Sequence, residues 1–441
     1  MGKTVAFCTL GCKVNQYETQ AMAESMERAG YHVVDFSDRA DVYVVNSCTV
    51  TGTGDKKTRQ MVRKAHRTNP EAAVAVTGCY AQRAAGDLLS LPGVRVVIGS
   101  RHKDRVAALI EDAVHTGRQV DAVDAFANEL PYEPLAVTKK PAHTHAYVKV
   151  QDGCARFCSY CVIPFARGPV RSRPVEDVVH EVRTLAEGGC AEVVLTGIHV
   201  ASFGTDLPGE ERLIDVIEAV HRVDGIERIR LGSLEPLVLS DEWIERLAML
   251  PKVCDHFHLS LQSGSDTVLR RMRRRYTAEA FLGRVRALRE AFPGCAVTTD
   301  VMAGFPGETQ DEFDETAAFL KTAGFARCHV FPYSKRPGTD AATMPGQVQR
   351  SVKEARARIL IGVGKELERA YAAAQVGQVQ DVLFEERLGG MLEGYTPRYV
   401  RVRVPGPEAF IGKIAPILIT GAGDCLAYGE TTGLASAGPG S

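Results

Sequence analysis

Long hydrophobic runs are missing from this sequence. None of its 441 residues belongs to a stretch approaching ~18 consecutive apolar positions, so no membrane-spanning helix is expected. The start, MGKTVAFCTLGCKVN, lacks a basic region followed by a long apolar stretch and does not read as a secretory signal. A charge field of one sign is also missing. With 53 basic and 54 acidic residues the net charge is −1, which argues neither for nor against a nucleic-acid partner. On these absences the protein is expected in the cytosol. There, its twelve cysteines are expected to serve metals, catalysis or the core rather than a disulfide framework.

The first 125 residues read as strand–loop–helix units. TVAFCTL, DVYVVN and AAVAVTG are short β-branched runs, each followed by a polar helical pattern, which implies a parallel α/β domain over 1–125. Residues 126–144, rich in proline and polar groups, read as a linker. A second series follows over 145–374, with β-like runs at 146–151, 192–197, 228–233, 256–261, 296–302 and 326–333. Six strand–helix units are too few for a closed eight-unit barrel, so a partial six-stranded (β/α)6 barrel is expected, its site at the carboxyl ends of the strands. Thr309 and Glu312 have the spacing of a capping box at the start of one of its helices. A long helix is predicted over about 347–374. Residues 375–435 then alternate like short antiparallel strands with Gly/Pro turns, a small β-barrel of a kind that often binds oligonucleotides. That segment is slightly acidic, with seven acidic and five basic residues over 376–441, and Arg398, Arg401 and Arg403 are its one basic cluster. The closing ASAGPGS reads as a disordered tail or an expression remnant.

Within DGCARFCSYCVIPFARG, Cys154, Cys158 and Cys161 stand at x3 and x2 spacing with no fourth cysteine nearby. A structural zinc site wants four ligands and would need a distant one here. A cubane iron–sulfur cluster tolerates three, leaving one iron open to bind something else. The triad follows the first strand of the second series, at the rim where a barrel does its chemistry. A second set is dispersed: Cys12, Cys48 and Cys79 each lie just past the carboxyl end of a predicted parallel strand. If those strands are neighbours, the three thiols meet in one crevice and suggest a second cluster; the alternative is small residues packed under loops. The packing role suits Cys8, Cys190, Cys254, Cys295, Cys328 and Cys425 better. Arg270, Arg271, Arg273, Arg274 and Arg275 form the densest charge cluster, read either as a solvated helix end or as a phosphate-binding patch.

The triad loop resembles that of the radical S-adenosylmethionine (SAM) superfamily. FCTLGCKVNQYET, VVNSCTVT, VTGCYAQR, LGSLEP, HLSLQSGSDTVLRRMRRRYT, DVMAGFPGET and FPYSKRPGT together are similar to methylthiotransferase motifs over about residues 3–432. The resemblance implies a C-terminal TRAM domain, a [4Fe–4S] cluster on Cys154, Cys158 and Cys161, and an auxiliary [4Fe–4S] cluster on Cys12, Cys48 and Cys79. It implies two molecules of SAM per reaction: one methylates sulfur at the auxiliary cluster. The other is cleaved reductively, with electrons from an external donor, to a 5′-deoxyadenosyl radical that takes hydrogen from adenine C2. LGCKVNQYET with VNSCTVT looks most like the subgroup acting on N6-threonylcarbamoyladenosine at position 37 of tRNA. Relatives acting on isopentenyladenosine, or on an aspartate of ribosomal protein S12, share the architecture.

Candidate SAM contacts, carried over or placed at strand ends, are Tyr160, Gly197, His199, Ser233, Glu235, Gln262 and Ser263. The sequence GIH at 197–199 departs from the superfamily's glycine–acidic pattern, which puts the side-chain roles there in doubt. A carboxylate-bearing substrate would need a cation, and Arg156, Arg167, Lys335 and Arg336 stand near the predicted catalytic loops. A non-enzymatic iron–sulfur RNA-binding sensor would explain the cysteines and the arginines but would not need a barrel with an open iron.

Overall fold

A computed structural model describes residues 2–127, 130–139, 144–423 and 425–432. The tail 435–441 lies outside the described residues. Among those described, no helix is long and apolar enough to cross a membrane.

The N-terminal sheet contains β1 (Thr4–Thr9), β2 (His32–Val34), β3 (Val42–Ser47), β4 (Ala73–Gly78), β5 (Val94–Ile98) and β6 (Val120–Ala122), all parallel, in the order β2-β1-β3-β4-β5-β6. All six residues of β3 and of β4 are buried, because helices cover both faces of a parallel sheet's centre. The register pairs Thr9 with Asn46 and Ser47 with Gly78, so the carboxyl ends of β1, β3 and β4 end level. β2, β5 and β6 are strands that pattern reading did not single out. Two of them are only three residues long, too short to show a period.

The central unit contains β7 (His145–Asp152), β8 (Arg171–Ser172), β9 (Glu192–Gly197), β10 (Arg228–Leu231), β11 (His256–Gln262), β12 (Ala296–Ala303) and β13 (Arg327–Pro332). β10-β9-β7-β8 form one sheet and β11-β12-β13 another. Parallel bridges Ile229–Val253 and Leu234–Leu259 join them into an open arc of six parallel strands, with β8 antiparallel at its free edge. One apolar core runs beneath the whole arc, from Val148 and Val193 through Phe257 to Val297 and Leu360. The capping box forms: Thr309 Oγ1 accepts from the Glu312 amide at 3.2 Å, and Glu312 accepts from the Thr309 amide at 2.9 Å.

The stretch read as a linker is packed over its described residues 130–139. Leu135 and Val137 join the main core, Tyr132 Oη donates to the Lys149 carbonyl at 2.7 Å, and the Thr138 amide donates to Glu24 at 2.9 Å. Proline content made it look free, whereas its alternate apolar residues are what dock it.

A helix, Arg350–Ala373, leads into a closed barrel of β14 (Val379–Leu388), β15 (Met391–Tyr395), β16 (Arg401–Pro405), β17 (Ile414–Gly423) and β18 (Leu426–Thr431). The barrel docks at the amino ends of the core strands, the end away from the cysteine loop after β7. Arg228 donates to the Asp381 carbonyl at 2.7 Å; Arg230 donates to the Pro397 carbonyl at 2.9 Å and lies 4.7 Å from the Tyr399 ring centre. The barrel's own basic cluster is consumed by these contacts. Arg398 pairs with Asp255 at 2.7 Å, and Arg401 and Arg403 both pair with the buried Glu393.

Arg230 therefore holds both the barrel and Glu192, whose carboxylate it meets at 2.9 Å. Arg230→Met should cost about 3–5 kcal/mol by leaving a buried carboxylate poorly paired, and should speed protease cutting near residue 376. Denaturant unfolding and limited proteolysis measure both; an unchanged midpoint would remove Arg230 from the docking account.

Candidate functional site

Cys12, Cys48 and Cys79 follow β1, β3 and β4, which are immediate neighbours, so the three loops share one crevice. Two close approaches make this geometry possible. Gly11 (φ 107°) leaves no room for a Cβ, which would stand 2.9 Å from the Cys48 Cβ. Gly78 (φ 94°) lies against the Ser47 carbonyl, where a Cβ would come within 2.6 Å. Asn15 ties the loops together: its Nδ2 donates to the Leu10 carbonyl at 2.6 Å and to the Ser47 carbonyl at 3.0 Å, the residues two before Cys12 and one before Cys48. Burial pushes the Cys48 thiol up to about 11, with Cys79 and Cys12 adding to the shift.

Cys154, Cys158 and Cys161 line a cleft of about 480 Å³ at the carboxyl end of the arc. Burial pushes the Cys154 thiol up to about 11 and the Cys161 thiol up to about 12. Cys48, Cys154 and Cys161 thus keep their protons unless an iron displaces them, because a coordinated thiol is deprotonated. Among the described residues, no group of three His, Cys, Asp or Glu side chains is placed to hold a metal ion as it stands.

Five of the seven candidate SAM contacts line the cleft: Tyr160, His199, Ser233, Glu235 and Gln262. Glu235 is their hub. Arg156 meets it at 2.6 Å and His199 Nε2 at 3.2 Å, while Arg274 stands 3.9 Å away. Burial would raise the Glu235 carboxyl, but these neighbours, His199 foremost, hold it below its ordinary value. Gln262 adopts φ 73°, uncommon for a residue with a Cβ. Its Oε1, Arg156 Nε and Tyr333 Oη are buried without a hydrogen-bond partner. Three thiols and three unpartnered polar atoms around one cleft fit a cluster with a polar cofactor beside it. Gly197 and Ser263 do not line that cleft. Ser263 is buried against Thr316, 3.1 Å from its hydroxyl, where it fixes the turn after β11.

The arginine cluster divides. Arg270, Arg273 and Arg275 are exposed, Arg273 in a solvent-exposed ion pair with Asp340, and Arg271 is tied to Glu312 at 2.7 Å. Arg274 turns inward at a left-handed Arg273 (φ 59°). It donates to the Ser260 carbonyl at 3.0 Å and lies 3.5 Å from Cys158 Sγ. It is a neighbour of the cysteine loop rather than a surface charge, and no periodicity in RRMRRRY marks the turn that buries it. The cations proposed for a substrate carboxylate also divide. Arg167 is fully buried in ion pairs, Arg336 pairs with Asp55 at 2.6 Å, Lys335 is exposed, and Arg156 remains in the cleft.

The two halves of the site face each other. Val50 and Thr51, just past Cys48, line the same cleft as the second triad. Arg336, after β13, also donates to Thr49 at 2.7 Å; Ser334 Oγ accepts from the Gly52 amide at 3.2 Å; and Arg83 donates to the Pro337 carbonyl at 2.8 Å. Neither Asp55 nor Arg83 carries a local motif; their partner lies some 250 residues or more along the chain.

The chain matches the models of the radical SAM superfamily (residues 148–320), the uncharacterized protein family UPF0004 (4–99) and the TRAM domain (373–431). It is 44% identical over 425 residues to the threonylcarbamoyladenosine tRNA methylthiotransferase MtaB of Bacillus subtilis (strain 168), covering 95% of this chain and 94% of that protein. It is 35% identical over 420 residues to the tRNA-2-methylthio-N(6)-dimethylallyladenosine synthase of Syntrophotalea carbinolica (strain DSM 2380 / NBRC 103641 / GraBd1), covering 93% and 96%. Among solved structures it resembles the radical S-adenosylmethionine methyltransferase TsrM from Kitasatospora setae. That match has a TM-score of 0.57 at 16% identity over 78% of this chain and 74% of that one, a likeness of fold.

Arg336→Ala should loosen the clamp between the two halves, costing about 1–3 kcal/mol for the unpaired Asp55 and speeding iodoacetamide labelling of Cys48. Mass spectrometry of the labelled peptide measures this. Unchanged labelling and an unchanged unfolding midpoint would show that the halves are held without this bridge.

Proposed function

The chain belongs to the tRNA methylthiotransferases of the radical SAM superfamily, and on that premise we propose that it adds a methylthio group to C2 of N6-threonylcarbamoyladenosine at position 37 of tRNA. The single observation that carries this reading is one cleft lined by Cys154, Cys158 and Cys161 and, from the other half, by Val50 and Thr51, two and three residues after Cys48, whose strand neighbours those leading to Cys12 and Cys79. Two [4Fe–4S] clusters and SAM supply the chemistry: a carbon radical at one cluster and transferable sulfur at the other. Cys154, Cys158 and Cys161 are the proposed ligands of the radical cluster, and Cys12, Cys48 and Cys79 those of the auxiliary one.

The chain's own residues bind, orient and exclude water. Glu235 offers its carboxylate to the amino group of SAM with His199 beside it, and Tyr160 closes the wall next to Phe305. Arg270, Arg273 and Arg275, exposed at the end of the turn beside the cysteine loop, are the proposed phosphate contacts. Ser159 is bonded to the Arg271 carbonyl at 2.8 Å, which sets this patch against the triad loop. Arg271 and Arg274 drop out of the phosphate role because Glu312 and the cleft hold them. The external electron donor and a cytoplasmic setting, where tRNA is found, belong to the same proposal.

The higher identity to the threonylcarbamoyladenosine enzyme supports the substrate choice over the dimethylallyl one. A threonylcarbamoyl group brings a carboxylate, which Arg156 in the cleft can meet; an isopentenyl group brings none. In a reduced, SAM-supplied assay, tRNA carrying N6-threonylcarbamoyladenosine should be converted at least tenfold faster than tRNA carrying the isopentenyl group. The reverse preference would overturn the substrate and leave the reaction class standing.

Replacing Cys154, Cys158 and Cys161 with Ala should remove about half the iron and abolish formation of 5′-deoxyadenosine. Replacing Cys12, Cys48 and Cys79 should remove the other half while SAM cleavage persists without product, as two equal cubanes on separate triads require. Full iron in the second variant would refute the auxiliary ligand set.

A further inference from the structure

Arg167 belongs to the loop of one triad and touches a thiol of the other. It stands six residues after Cys161, and its Nε donates to Cys79 Sγ at 3.1 Å. The next carbonyl along the chain, that of Gly168, accepts from the Cys154 amide at 3.0 Å. One turn thus holds a ligand of the radical triad with its backbone and reaches a ligand of the auxiliary triad with its side chain. The guanidinium is fully buried, and Asn15 Oδ1 accepts from Nη2 at 2.6 Å, Glu18 Oε1 from Nη1 at 2.5 Å.

The charges around it do not balance within the protein. Arg167, Lys149, Lys103 and Arg171 are buried against Glu18 and Asp152, four cations and two carboxylates. Burial disfavours the ionised forms of both Lys103 and the nearby Glu133; with both charged or both neutral, the cations remain one ahead. Buried charge without a counter-charge is costly. A cubane in its 2+ state on three thiolates carries about −1, the sign this network lacks, at the thiol that Arg167 touches.

We propose that Arg167 is the positioning residue of the auxiliary cluster: by its hydrogen bond to Cys79 and its buried charge it raises that cluster's reduction potential and fixes its place relative to the radical loop. A donor and a cation at a ligating sulfur stabilise the reduced, more negative form. This rests on the auxiliary assignment made above, and the two fail differently. The full-length chain with Cys154, Cys158 and Cys161 changed to Ala isolates the auxiliary signal, and its potential is read by electron paramagnetic resonance in a redox titration. Adding Arg167→Gln should keep the iron content and shift the midpoint to lower potential, whereas Arg167→Lys should fall between. Where Arg167→Gln does not fold, Glu18→Gln with Arg167→Gln removes a matched pair of charges, and its midpoint should lie below that of Glu18→Gln alone. An unchanged midpoint at full iron would reduce Arg167 to a structural latch. Absence of any auxiliary iron in the Arg167-containing protein would instead overturn the cluster assignment itself.

Discussion

A buried arginine with more cations than carboxylates around it is the constraint on which much of this structure turns. Arg167 joins the N-terminal helix through Asn15 and Glu18, the first core strand through Asp152, and the auxiliary crevice through Cys79. Burial alone would raise the Glu18 carboxyl, but Arg167, Lys103 and Lys149 outweigh it and hold it below the usual carboxylate range. Such a network strongly penalises separation of the two domains, because each partner left behind would be a buried charge without a mate. The two thiol triads are therefore held in fixed relation before any cofactor or RNA is bound.

That fixed relation suits radical chemistry. A carbon radical must meet its target hydrogen in near contact and away from water. The cleft supplies walls from both halves: Val50 and Thr51 from the N-terminal side, and Met302, Phe331 and Tyr333 from the core. Polar control comes from one hub, Glu235, with Arg156, His199 and Arg274 gathered around it. The TRAM barrel occupies the opposite end of the core strands, and its Arg398, Arg401 and Arg403 pair with Asp255 and Glu393. Arg270, Arg273 and Arg275, the proposed phosphate contacts, are exposed near the cysteine loop, at the end of the core away from the barrel.

Much of the architecture was legible in the sequence because parallel strands bury both faces and announce themselves as β-branched runs. All six core strands lie where such runs stand, and Cys12, Cys48 and Cys79 follow strands that prove to be neighbours. What was not legible depends on tertiary geometry. Arg274 is buried by a left-handed turn at Arg273, Arg167 by a crossing between domains, and Arg336 by a partner near the other end of the chain. Each is a charged residue whose burial no local pattern marks. The proline-rich stretch around Leu135 and Val137 is the opposite case: its composition reads as a linker, and two apolar side chains pack it onto the core.

Above all, this chain places a methylthio group on threonylcarbamoyladenosine in tRNA. Mass analysis of tRNA nucleosides from a strain deleted for the gene, and from the same strain with the gene restored, tests it most directly. The account predicts that 2-methylthio-N6-threonylcarbamoyladenosine is lost on deletion, with the unmethylthiolated nucleoside accumulating in its place, and that it returns with the gene. Persistence of that nucleoside in the deletion strain, with loss of the 2-methylthio isopentenyl nucleoside instead, would contradict it.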